Sequence, residues 1–100
     1  MTIENSILVE FKDRMHLDGD EDYNLMRILV ASNEELVRAC GDYDINTSET
    51  FKELVFERSR YAYNDALEYF NSNFLNQINS LGIEKVLLEI ILEVVADETI

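Results

Sequence analysis

No proline occurs anywhere in this chain, and that absence constrains its fold more than any other feature. Its 100 residues also include only three glycines, Gly19, Gly41 and Gly82. Proline and glycine punctuate turns, and an all-β domain with its many reversals needs them repeatedly. Their scarcity predicts a few long helices joined near those glycines. The length suits one domain, and apolar residues at 47% suffice for one core. A compact monomer of this size has a radius of gyration of roughly 13 Å.

The expected architecture is an all-α bundle of about four helices with one long central helix, all within a single domain spanning 1–100. Ile7, Leu8, Phe11 and Met15 recur at helical spacing within 3–15, although Ile7–Phe11 alone would also suit a strand. An acidic turn, Leu17-Asp18-Gly19-Asp20-Glu21-Asp22, follows, with Asp20 as N-cap for a second helix over 20–40. Leu25, Met26, Leu29, Leu36, Val37 and Cys40 form its apolar stripe, and Gly41 stands where a left-handed cap is needed. Residues 42–48 read as a polar loop. The third and longest helix, 50–74, opens with capping-box spacing at Thr50-Phe51-Lys52-Glu53, with Asn46-Thr47-Ser48-Glu49 as a rival start. A break or kink is allowed at Asn71-Ser72-Asn73. Ser80-Leu81-Gly82 reads as a turn before a last helix over 82–96.

The net charge of −13 is spread along the chain, with −8 in residues 1–50 and −5 in residues 51–100. Such a surface repels phosphate, which disfavours non-specific nucleic-acid binding and anionic membranes. The apolar run near 86–95 is interrupted by Glu89 and Glu93, too short and too charged to span a bilayer. The lone Cys40 suits a reducing compartment, and the N-terminus lacks a signal-peptide pattern, so synthesis in the cytoplasm is expected.

No catalytic or metal-binding motif in the chain is complete. Asp18, Asp20, Asp22 and Asn24 have the 1-3-5-7 spacing of a calcium loop. Tyr23 then stands where glycine is required and Leu29 where the bidentate Glu is required. One His16 and one Cys40 do not make a zinc site or a nucleophile–base pair. No phosphate-binding loop or nucleophile elbow is present. The expectation is a non-enzyme with no catalytic residues, no metal and no cofactor.

Two segments carry more apolar surface than a core of this size absorbs. Phe56, Tyr61, Tyr63, Tyr69, Phe70 and Phe74 concentrate six rings in one short stretch, among Glu57, Asp65 and Glu68. Some fill the core, and the surplus reads as anchors for a partner. Near the C-terminus, Ile83, Leu87, Ile90 and Val94 follow 4-3-4 spacing, widened by Leu88, Ile91 and Val95. Only Glu84, Lys85, Glu89, Glu93 and the terminal acids remain polar. A stripe this wide belongs either to a central helix or to one packed against another chain. The candidate protein interface is therefore Tyr61, Tyr63, Tyr69, Phe74, Ile83, Leu87, Ile90 and Val94.

The segment Arg60-Tyr61-Ala62-Tyr63-Asn64-Asp65-Ala66-Leu67-Glu68-Tyr69-Phe70, followed by Asn73-Phe74-Leu75, resembles the signature region of tailed-phage head-tail connector proteins. These are also called head-completion or adaptor proteins and occur in Bacillus-type phages and prophages. The short first helix, the acidic turn, the helix ending near Gly41 and the Phe51-Lys52-Glu53 start are similar too. The likeness is specific around 58–75. It implies an all-α virion-assembly subunit at the head-tail junction that self-associates, after DNA packaging, into a ring, expected to be dodecameric, beneath the portal protein. That ring extends the DNA channel and docks the tail or a stopper protein. It passes DNA without sequence-specific binding and needs no membrane. Such subunits are often monomeric until they meet the portal, and repulsion at −13 per chain opposes self-association at low salt. The alternative is an acidic DNA-mimic or inhibitor protein that occupies a basic partner's cleft. That function asks for acids in a spaced double row on one face.

Overall fold

In a computed structural model, residues 3–98 are described, with side chains described as far as 96. All regular structure among them is helical. Helix α1 spans Asn5–Met15, α2 Asp22–Cys40 and α3 Glu49–Tyr63. A 3-10 turn at Leu67–Tyr69 leads to the one-turn α4, Phe70–Asn73, and then to α5, Leu75–Glu98. The stretch Ile7–Phe11, which alone would also suit a strand, is helical.

Helix α2 is the hub, packing against α1, α3 and α5. Its fully buried positions include Leu25, Leu29, Leu36 and Cys40, which fall at helical spacing on one face, with Met26 and Val37 at its margin. Phe51, Leu54, Val55 and Phe56 of α3 meet them, and Phe11 of α1 packs 5.4 Å from Phe56, centroid to centroid. Ion pairs then join α1 and α3 along their edge. Arg14 forks onto Glu53 at 2.8 and 2.5 Å, and Lys52 reaches Glu10 at 2.8 Å and Glu49 at 3.0 Å. The neighbouring Arg14 guanidinium holds the Glu53 carboxyl below the usual carboxylate range. A depressed folded-state pKa contributes stability above the ordinary Glu range and loses it as pH falls through the lowered value. Half of the Glu53 side chain is exposed, so Glu53→Gln is expected to cost only about 0.5 kcal/mol at pH 7. That cost should shrink on acidification, which urea titrations of both proteins at several pH values will read.

Several expected boundaries move, each for a local reason. The N-cap of α2 is Glu21, and Asp20 makes no capping bond, because Asp22 is drawn to Lys12 Nζ at 2.6 Å and fixes the first turn one step later. At the start of α3 the rival segment supplies the cap. Ser48 Oγ accepts the Phe51 amide at 3.2 Å, so Ser48→Ala is expected to lower stability by ~1 kcal/mol in thermal melts.

The long central helix over 50–74 does not form, because α3 stops at Tyr63. Asp65 turns left-handed at φ 58°, its amide donates to Ala62 O, and the Ala66 amide donates back to Tyr61 O at 2.8 Å. This is the paired-bond helix terminator normally built on glycine. His16 performs the same task after α1, at φ 57°, with Leu17 N donating to Lys12 O. The longest helix is instead C-terminal. It starts at Leu75, and Ser80-Leu81-Gly82 is not a turn but lies inside it.

The polar loop at 42–48 is also corrected. Ile45 is buried, and Tyr43 stacks on Phe51 with ring centroids 5.5 Å apart. The molecule measures 56 × 28 × 17 Å with a radius of gyration of 15.6 Å, above the ~13 Å of a compact monomer, because α5 runs past the body.

Candidate protein-interaction surface

Helix α5 has an inner half seated on the body and an outer half that leaves it. Leu81 is buried, Ile78 packs against the core, and Tyr43 Oη donates to Leu81 O at 2.7 Å. Lys85 Nζ donates to Asp42 O at 3.0 Å and lies 4.8 Å above the Tyr43 ring. Burial pushes the Cys40 thiol pKa upward, and its sulfur lies 3.7 Å from Ile78 O. Gly41 makes the close approach possible. Its φ is +112°, and a Cβ there would stand 2.7 Å from Lys85 Cγ. Its ψ of −179° differs from the expected left-handed cap, although its amide still closes α2 on Val37 O.

From Val86 to Ala96 every described side chain is exposed. Ile83, Val86, Leu87, Leu88, Ile90, Ile91, Leu92, Val94 and Val95 are each 49–60% exposed. Leaving this many large aliphatic groups in water is unfavourable, since burying each one fully would stabilise by ~1.5–3 kcal/mol. Its 24 residues reach about 36 Å at ~1.5 Å each, yet no helix among the described residues is long and apolar enough to cross a membrane. At the root of this arm lies an apolar groove of about 420 Å³, lined by Ala39, Ile78, Gly82, Ile83, Val86 and Leu87. The terminal acids Asp97 and Glu98 have side chains outside the described residues.

The aromatic segment divides differently. Phe56 and Phe70 are fully buried. Tyr61, Tyr63 and Phe74 are half-buried against the core. Tyr61 meets the Phe70 and Phe74 rings edge-on at 5.7 Å, Asn73 donates to its hydroxyl at 3.0 Å, and Arg60 lies over it. Tyr63 Oη donates to Glu21 at 2.7 Å. Tyr69 alone of the six points out, 59% exposed, and Leu67 and Leu75 of the same stretch are also exposed. Thus the structure groups Ile83, Leu87, Ile90 and Val94 on one arm. It leaves Tyr69 on the body and uses Tyr61, Tyr63 and Phe74 largely as packing.

Two exposed features were not singled out from sequence. Val86 and Leu92 extend the arm's apolar surface beyond the 4-3-4 stripe. Tyr23, 79% exposed, stands beside Arg27 on the first turns of α2, over a shallow depression lined by Met26, Val30 and Ala31. Of the acidic turn, Asp22 is committed to Lys12. Among the described residues no group of three or more His, Cys, Asp or Glu side chains is placed to hold a metal ion. No family model, curated protein or solved structure matches the chain.

Proposed function

We propose that this chain is a non-enzymatic assembly subunit, a head-tail connector of a phage or prophage. In that role it joins a ring under the portal, extends the DNA channel and docks the tail or a stopper protein, entering the virion from the host cytoplasm. The observation that carries the reading is the projecting arm of nine half-exposed aliphatic residues on a small acidic body. A monomer gains nothing from such an arm, whereas an assembly buries it. The likeness of residues 60–75 to the connector signature supplies the particular assembly. The acidic body is compatible with a channel wall that DNA passes without sticking.

Portal protein from the same genome is expected to retain this chain in a pull-down, and Leu87→Glu with Ile90→Glu to lower that retention at least tenfold. Both positions are exposed, so thermal melting of the double variant should stay near that of the parent. Absence of portal binding at every salt concentration would count against the connector and favour the acidic inhibitor of a basic partner.

A further inference from the structure

We infer that the cover for the arm in the free protein is a second copy of this chain, paired antiparallel through the outer half of α5 once salt screens the repulsion.

The register follows from the spacing. Ile83, Leu87, Ile90 and Val94 repeat as 4-3-4, a series that reads the same in both directions. An antiparallel two-fold pair therefore sets Ile83 of one copy against Val94 of the other, and Leu87 against Ile90. This is the knobs-into-holes arrangement of a short coiled coil. The groove at the arm's root shares Ile83 and Leu87 with this stripe, so the pair covers part of its lining. Gly82 keeps that groove open at the arm's root.

The area is sufficient. Nine side chains at about half exposure hold roughly 800 Å², which is what one partner contributes to a standard interface. Burying about two thirds of it on each copy reaches the ~1,000 Å² total that separates specific pairs from incidental contacts.

Charge selects the direction. On a helical wheel Lys85 falls opposite the Ile83–Val94 stripe, against its own body. Glu89 falls about 130° away, and Glu84 and Glu93 fall on the two flanks, so pairing buries no carboxylate in the seam. A parallel pair would bring two bodies of an overall −13 chain to the same end. The antiparallel pair holds them at opposite ends of a stretch of about 18 Å, more than a Debye length at physiological salt. At low salt, with a Debye length of ~30 Å at 0.01 M, the repulsion reaches across and the copies separate.

Pairing does not depend on the portal reading, because a chain that binds no portal would still dimerise. The test is sedimentation equilibrium of the full chain over a concentration series at 0.01 and 1 M NaCl. The expected mass is near 11.6 kDa at low salt and rises towards twice that value at 1 M. Leu87→Glu with Ile90→Glu should remain at 11.6 kDa at both while keeping its melting temperature. Under oxidation at 1 M, Ile83→Cys mixed with Val94→Cys should cross-link faster than either variant alone, Cys40 being buried. A monomer at every concentration and salt would overturn the proposal. So would a dimer that survives the double Glu variant, or same-site cross-linking that outruns the mixed pair.

Discussion

Phe51→Ala is expected to lower stability by about 3–5 kcal/mol, the usual cost of emptying a buried aromatic site. That is a large part of the ~5–15 kcal/mol available to a domain of this kind, so the variant should melt far below the parent or fail to fold at 37 °C. Phe51 has no exposed surface, and it forms one face of the stack with Tyr43. Tyr43 in turn donates to Leu81 O and lies under Lys85. The loss therefore spreads from the core to the root of α5. Leu87→Ala, on the exposed outer half, is expected to change stability by less than about 0.5 kcal/mol. Parallel urea titrations of the two variants check both values. At low salt, where the copies are separate, equal losses would mean that α5 lies along the body in solution.

Gly41→Val should be nearly as damaging, by about 2–3 kcal/mol, through a different mechanism. A β-branched residue at φ +112° is strained wherever its side chain goes. Its Cβ would also meet Lys85 Cγ at 2.7 Å and Cβ at 3.3 Å, atoms close to the backbone of α5 with little freedom to retreat. Relief requires the root of α5 to lift, at the expense of the Lys85 bond to Asp42 O. Gly19 is the control. A Cβ there meets nothing within 4 Å, and Gly19→Ala is expected to be neutral. Thermal melts of the two variants separate glycine required by geometry from glycine that merely sits in a turn.

The all-helical class, α1 and most of α2 were legible because apolar spacing and the missing prolines act locally. The stripe Leu25, Leu29, Leu36 and Cys40 needed nothing beyond a 3.6-residue period. The end of α3 was not legible in that way. Asp65 ends a helix through a left-handed conformation that Asp tolerates but does not announce, and the apolar period continues past it through Leu67 and Phe70. Gly82 misled in the opposite direction. A lone glycine inside a helix costs only about 1 kcal/mol, and the burial of Leu81 beside it outweighs that. Tyr43 and Ile45 were hidden by polar neighbours, since only the tertiary fold brings Tyr43 onto Phe51. The arm's apolar excess was visible in the residues, but its separation from the body was not. That depends on how far Tyr43, Asp42 and Gly41 can hold α5.

The placement of the single thiol turns the molecule into its own sensor. Cys40 is buried where α2 meets the inner turns of α5, its sulfur against Ile78 O. A thiol reagent reaches it only when those turns detach, so the labelling rate in native buffer reads the free energy of that local opening. Anything that grips the arm and braces its root should slow the chemistry at a site it never touches. Docking can thus be followed without attaching a dye to the surface under study.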